Sequence, residues 1–541
     1  MRTIVETDVA VIGGGVTGVG VLRDLALRGI RALLIEQGDL GHGTSTRNHG
    51  LLHSGCRYAV RDPEAAAESY HENLIIKRTV PGSIEKTGGL FVKLPEDEDG
   101  YASNWLASCR SLGIPVSEVP LAEAFAAEPL LNKRAEAVYA VPDAAVDDFT
   151  LLVDVAADAV RRGAQMLTYH RVRQLLVQNA RVTGLVCRDE ASGEETEVRA
   201  SIVVNAAGPW EKQIAELAGL PFTLINNKGM LVVFNRRFNH RVINRLRMPG
   251  DGDIFVPAHD VTIFGTTGIN VEDPDDTSLE RAELEGMLAI GRALIPTIDQ
   301  LRIIRAYSGS RPLYQVDSVA DGGSGRNVTR GMALIDHEER DGLGGIVSIT
   351  GGKLTTFRLM AEKTVDLVCA KLGSSASCQT ADVAVAGRRT QRFETSRQLS
   401  PAARTKLGSW AGLHAPDIAK QLNDKAGAQT ICECEQVTWA EIQAALPPDG
   451  HFRLGDIRRR TRLGMGPCQG TFCQFRAAAL AVKHRKVTAE AACRSLQRAL
   501  AERKKGMAVV ATGETAKQLQ LMEAIYRVSL GLKEEEEIAH V

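Results

Sequence analysis

Two groups of residues in this chain have types and spacings suited to redox chemistry. The first is Gly13, Gly15 and Gly18, spelling G-x-G-x-x-G, with Glu36 lying 18 positions after Gly18. Glycines in that spacing let a backbone turn tightly, approach a pyrophosphate and pack a helix closely, and an acid beyond them accepts from ribose hydroxyls. The start of that helix offers free N–H groups and a positive dipole end to the phosphates. The second group is Cys432 and Cys434 (C-x-C) with Cys468 and Cys473 (C-x4-C), the two pairs separated by 33 residues. Four thiolates suit a [2Fe–2S] cluster. Tetrahedral zinc is the rival, although its sites usually use C-x2–4-C pairs. A further turn, TGGKLTTFR at 350–358, sets Gly351 and Gly352 before a helix start that carries Thr355 and Thr356. Backbone N–H groups and a dipole end would converge there, a place able to stabilise an anionic reduced flavin edge.

Elements must position these groups. TDVAVI is a short β-branched run, VGVLRDLALR a helical stretch stopping at Gly29, and RALLIE a second buried strand ending in Glu36. Residues 8–36 therefore predict a βαβ unit, which turns a weak glycine motif into a dinucleotide site. One copy at the N-terminus, with a distant glycine-rich turn, favours FAD over NAD, the electrons coming from an organic substrate. Residues 147–163 predict a helix capped by Asp147 or Asp148, with Leu152, Val155, Ala159 and Val160 on one stripe and Gly163 at its end. Residues 200–208 predict a strand breaking into a glycine turn at Ala207 and Gly208. Residues 223–320 mix short strands and turns and predict a mostly antiparallel sheet. The stretch from Gly342 to Gly373 then predicts strand, glycine turn and long helix. The Ser/Ala/Thr-rich segment 374–400 reads as a linker. Beyond it lies a small helical, cysteine-bearing module. Its Arg458, Arg459, Arg460 and Arg462 could offset cluster charge, dock a partner, or simply form a solvated helix face. The closing KEEEEIAHV reads as a solvated acidic end.

The bulk properties set bounds. The chain has 541 residues, 44% hydrophobic and 24% charged, which excludes a disordered chain and predicts several domains. Lys+Arg number 65 against 66 Asp+Glu, so no global charge draws the chain to nucleic acid. No apolar run reaches the roughly 18 residues of a membrane helix. Glu6 and Asp8 ahead of the first apolar run argue against a secretory signal, and a cytoplasmic protein is expected. The remaining cysteines, Cys56, Cys109, Cys187, Cys369, Cys378 and Cys493, are scattered and read as ordinary packing residues.

Five segments carry a family resemblance: IGGGVTGVGVLRDLALRG, LLHSGCRYA, YSGSRPL, VTRGMALIDH and GGKLTTFR. They resemble FAD-dependent glycerol-3-phosphate dehydrogenases of the glycine-oxidase-like flavoprotein group, with SGSRPL plus GGKLTTFR the specific pair. The cysteine module resembles a bacterioferritin-associated-ferredoxin-type (BFD-like) [2Fe–2S] domain. Together the parts resemble the large catalytic component of the anaerobic branch of that family. HSGCRY departs from the aerobic pattern, which has a second glycine after the histidine, and Cys56 has no account at this level.

The resemblance implies an α/β (α+β) fold: a Rossmann-like FAD-binding domain over 1–373 with an inserted, mostly antiparallel substrate-domain sheet at roughly 80–145 and 220–320. A linker or helical connector follows at 374–425, then the BFD-like domain at 426–485 and a helical C-terminal tail at 486–541. The implied reaction oxidises sn-glycerol-3-phosphate to dihydroxyacetone phosphate by hydride transfer to flavin N5. Electrons would pass onward to quinone through partner subunits, including an iron–sulfur protein that anchors the assembly to the membrane, with the chain peripheral on the inner face of the membrane. Arg57, Tyr58 and Lys353 would hold the phosphate, and Arg311 and Arg330 would lie near the reacting hydroxyl. His53, whose ordinary pKa of ~6.5 suits a general base, would take its proton. Arginine cannot act as a base at its pKa, so Arg311 would stabilise the developing alkoxide. FAD would contact Gly13, Gly15, Gly18, Glu36, Thr44, Ser45, Val172, Ala207, Gly208, Gly351, Gly352, Leu354, Thr355 and Thr356. Cys432, Cys434, Cys468 and Cys473 would hold the cluster. Two other readings stay open: a flavo-iron–sulfur oxidase or dehydrogenase of an amine, amino acid or 2-hydroxy acid, and a non-catalytic electron-transfer or iron-handling protein.

Overall fold

A computed structural model describes residues 2–314, 331–385, 399–410, 414–422, 426–446 and 452–532. Its first strand, Thr3–Ile12, is exposed at its start and buried from Val9 onward. It pairs in parallel with Ala32–Ile35 on one side and with Glu195–Asn205 on the other. Gln165–Leu167 extends the first edge and Ile346–Gly351 the second, again in parallel. Strands covered on both faces must be apolar throughout, which is why ALLI and SIVVN lack alternation. Helices Val16–Leu27, Asp148–Arg161 and Phe357–Leu372 cover one face through Leu22, Leu25, Leu152, Val155, Met360 and Val365. The antiparallel strands His170–Gln178 and Arg181–Asp189 fold over the other through Leu175 and Leu185.

Helix Asp148–Arg161 begins as its sequence predicts, with Asp147 accepting from Thr150 N at 2.7 Å. Val160 does not join the buried stripe and is 43% exposed. At 3.6 residues per turn it falls about 80° round from Leu152, enough to turn it to solvent.

A second, nine-stranded sheet is mostly antiparallel. It takes Gly89–Lys93 and Ala137–Val141 from one stretch of the chain and the strands from Leu224–Phe234 to Ile303–Tyr314 from a later one. Strands Leu224–Phe234 and Ile303–Tyr314 pair along their whole length, and that register sets Asn227 opposite Arg311.

The connector contains helices Pro401–Trp410 and Ala415–Gln421. The cysteine module carries helices Leu454–Thr461 and Cys473–Lys483. Helix Ala489–Ala508 and the turns after it do not trail away as a tail. Leu496, Met507, Met522 and Tyr526 complete the module's core around Ile431, Trp439 and Ile457. A unit ending at residue 485 would have about 60 residues and only a marginal core, which these later helices enlarge. The same helix reaches the second sheet, where Gly506 lies close to Ala306 O.

The arginine-rich helix is not a solvated face; it docks the cysteine module on the flavoprotein half of the chain. Arg460 donates to both oxygens of Asp39 at 2.7 Å, and Arg459 to Oδ2 at 3.3 Å. Tyr169 Oη donates to Asp456, and Arg462 pairs with Glu435 and Asp147. Arg330, residues 386–398 of the linker and the closing acidic run lie outside the described residues.

Candidate active site

The glycine turn is shaped by backbone contact. Gly13 has φ +112°, and a Cβ there would lie 2.4 Å from Ala206 O. A Cβ on Gly18 would lie 1.9 Å from Gly13 O, so the helix presses directly on the turn. Gly15 opens the helix without a side-chain cap, and Val16 N donates to Ser45 Oγ at 2.9 Å. Glu36 accepts from Gly14 N at 2.6 Å and Gly38 N at 2.7 Å. Burial pushes its carboxyl above the usual range, against those two donations.

A cavity of about 800 Å³ opens over this turn. Its wall includes Gly13, Gly15, Glu36, Thr44, Ser45, Val172, Ala207, Gly208, Gly351, Gly352 and Leu354. On the same wall lie His53, Arg57, Tyr58, Arg311 and Lys353. Gly18, Thr355 and Thr356 stand behind it. Thr355 Oγ1 accepts from His53 N at 3.1 Å, and Thr356 Oγ1 accepts from Lys353 N at 3.1 Å. The two threonines occupy the 3-10 turn Leu354–Thr356, one step before helix Phe357–Leu372 begins.

The HSGCRY loop is pinned from several elements. Asn73 Nδ2 donates to His53 O at 3.1 Å, and Ser54 donates to Asp143 through both N and Oγ at 2.7 Å. Trp105 Nε1 donates to Cys56 O at 2.7 Å. The Cys56 side chain is wholly buried, and contact with Cys109 together with burial pushes its thiol well above the usual range. Cys56 is thus a buried packing residue that holds the loop. Past it, Arg57 donates to Gly250 O at 3.1 Å and Asp253 at 3.3 Å. Lys353 Nζ sits 4.7 Å over the Tyr58 ring, whose centroid is 5.3 Å from that of His53.

Arg311 is held by acceptors absent from the sequence reading. It donates to Asn227 Oδ1 at 2.6 Å, to Thr267 O at 3.0 Å and to Thr266 Oγ1. These three anchors fix the guanidinium at the cavity wall. Asn227, Thr266, Thr267 and Asp253 were hidden because their partners lie far along the chain; only the strand register could have exposed Asn227.

In the module, thiol contacts link Cys432 to Cys473, Cys473 to Cys468, and Cys468 to Cys434. The contacts run mainly between the C-x-C and C-x4-C segments rather than within them. Among the described residues, no group of three or more His, Cys, Asp or Glu side chains is arranged to hold a metal ion. No described helix is long and apolar enough to cross a membrane.

The family model described as "FAD dependent oxidoreductase" matches residues 8–367. The chain is 41% identical over 537 residues to the A subunit of the anaerobic glycerol-3-phosphate dehydrogenase of Escherichia coli (strain K12), covering 99% of this chain and 98% of that protein. It is 40% identical to the A1 subunit of the anaerobic glycerol-3-phosphate dehydrogenase of Haloferax volcanii, covering 98% and 91%. In fold it is similar to the glycerol-3-phosphate dehydrogenase of Bacillus halodurans complexed with FAD. The TM-score is 0.68 and the identity 23%, covering 93% of this chain and 95% of that one.

Proposed function

The chain belongs to the FAD-dependent oxidoreductase family and to its glycerol-3-phosphate dehydrogenase branch, and we propose that it oxidises sn-glycerol-3-phosphate to dihydroxyacetone phosphate, the electrons passing on to quinone. The observation that carries this reading is that cations suited to a phosphate, Arg57 and Lys353, share one cavity wall with the Gly13–Gly15 turn and with Arg311. FAD fits the cavity: Gly15 leaves the helix start uncapped, and Glu36 lies where a ribose hydroxyl can donate. When bound, FAD supplies a two-electron acceptor for the alcohol carbon.

The chain's own residues bind, orient and handle the proton. Arg57 presents its fork and Lys353 its point charge to the phosphate, with Tyr58 packed between Lys353 and His53. Arg311, positioned by Asn227, Thr266 and Thr267, stabilises negative charge as the hydroxyl loses its proton. His53, locked through its main chain by Thr355 and Asn73, accepts that proton. Arg330 joins Arg311 at the hydroxyl by family resemblance. Cys432, Cys434, Cys468 and Cys473 fit a [2Fe–2S] cluster by number and donor type, and such a cluster would supply one-electron transfer. Relatives named as one subunit of an enzyme support a chain that works with partner subunits; by family resemblance one of them would be a membrane-anchoring iron–sulfur protein, with the chain at the inner face of the membrane.

Anaerobic mixing of the FAD-loaded protein with glycerol-3-phosphate should bleach the flavin, whereas glycine, sarcosine and 2-hydroxyglutarate should not. Arg311→Ala should slow the bleaching by about 10²–10³-fold, the usual effect of losing one oxyanion donor. Bleaching by an amine alone, or an unaffected Arg311→Ala enzyme, would contradict the assignment.

A further inference from the structure

A second cavity, of about 1680 Å³, separates the flavoprotein half from the cysteine module. Arg47 and Arg305 face it from the first half, and Arg458 from the arginine-rich helix. The Nε atoms of Arg305 and Arg458 are buried and have no hydrogen-bond partner. None of these three guanidiniums makes an ion pair among the described residues. Three acids on the same wall are committed elsewhere: Asp39 to Arg459 and Arg460, Asp147 to His259, Asp456 to Tyr169. Glu502 and Asp148 on this wall attract the arginines without pairing with them; Glu502 is exposed, and Asp148 accepts from Asn48 and Phe149 N. Gathering like charges with so little compensation is costly, and orphaned buried donors call for a partner.

We infer that Arg47, Arg305 and Arg458 form a binding site for a small phosphorylated anion, separate from the substrate cavity. Three arginines rather than lysines favour bidentate recognition of phosphoryl oxygens. The volume exceeds what a bare ion needs and lies above the usual ~300–1,000 Å³ of small-molecule sites. Arg305 stacks 5.1 Å over the Tyr307 ring, which presents an aromatic surface beside the charge. Arg47 lies on the wall common to both cavities, so the anion would sit between the substrate cavity and the module.

Pyrophosphate is the probe, added to the full-length, FAD-loaded protein in phosphate-free buffer and followed by calorimetry and thermal melting. One saturable site is expected, with a melting temperature that rises with ligand concentration. Arg305→Gln and Arg458→Gln should each weaken binding at least tenfold. Both should also melt higher than the parent without anion, because a poorly compensated positive charge is gone. Arg458→Lys keeps the charge and should still weaken pyrophosphate several-fold, since the fork is lost. Flavin bleaching by glycerol-3-phosphate should stay within twofold in Arg458→Gln, and saturating glycerol-3-phosphate should leave pyrophosphate affinity unchanged. Adenosine monophosphate and inorganic phosphate then separate an organic phosphate from a bare anion by rank of affinity. The assignment is overturned by absence of saturable binding, by binding that survives both glutamine variants, or by displacement with glycerol-3-phosphate.

Discussion

Asp39→Asn tests whether the arginine-rich helix docks the two halves of the chain. The Asp39 carboxylate is 2% exposed and accepts three guanidinium N–H groups, two from Arg460 at 2.7 Å and one from Arg459 at 3.3 Å. The substitution keeps the shape and removes the charge. Hydrogen bonds to charged groups contribute about 1.5–3 kcal/mol each, and removing one partner of a buried pair costs about 3–5 kcal/mol. Arg460 keeps 22% of its side chain exposed, so water recovers part of the loss. The lower bound of about 3 kcal/mol is therefore expected, roughly a hundredfold in an opening equilibrium. Because a chain of several units need not unfold in one step, the assay is hydrogen exchange of the helix Leu454–Thr461 amides in Asp39→Asn, Arg460→Gln and the double variant. Protection should fall about a hundredfold in either single variant and scarcely further in the double. Burial alone would raise the Asp39 pKa, but the Arg460 hydrogen bonds outweigh it and hold the carboxyl below the usual range. The docking free energy is thus fully present above the unfolded value of ~3.9 and is lost as pH falls through the lower folded value. Strictly additive losses in the two single variants, or unchanged protection, would refute the reasoning.

Gly18→Ala places a Cβ 1.9 Å from a backbone oxygen of the turn itself, so the turn must move. FAD affinity should drop at least tenfold in a fluorescence titration while far-UV dichroism is retained, and parent-like affinity would refute the packing role. Asp147 is pulled two ways: burial raises its pKa, but His259 and Arg462 and the Thr150 N–H outweigh it and hold it far below the usual range. Its contribution is present above the unfolded value of ~3.9 and is lost on acidification below it. Asp147→Asn keeps the helix cap, since asparagine caps as well as aspartate. It should therefore flatten the acid limb of a stability-versus-pH curve and leave helix content unchanged.

The parallel sheet was legible because its strands are short, apolar and punctuated by glycine, so residues 8–36 declare a βαβ unit without any long-range knowledge. The helix starting at Asp148 was equally plain, since its cap and stripe are local. Val160 was misplaced because a stripe read by eye is wider than the face a neighbour actually covers. The cavity-wall glycines and the HSGCRY and GGKLTT segments could be read as site segments. The supports of those segments could not, because Asn73, Asp143, Asp253 and Asn227 are generic polar residues until the chain folds them into register. The arginine run shows the same limit. Its composition is compatible with a solvated helix, and only the position of Asp39, 421 residues before Arg460, gives it an interior role.

The strand Ile303–Tyr314 explains how the substrate cavity and the cysteine loop are held at a fixed separation. Arg311, near its end, reaches the cavity wall. At Ala306, five residues back, it meets Gly506 of helix Ala489–Ala508 at a distance that only a glycine tolerates without displacement. On the same helix, Arg503 donates to Gln469 Oε1 at 3.0 Å and to Gly464 O at 2.8 Å, on either side of Cys468. A single strand and a single helix thus connect the guanidinium proposed to stabilise alkoxide charge with the loop that brings Cys468 and Cys473 together. Each joint is a close backbone approach or a buried hydrogen bond, neither of which yields without losing free energy.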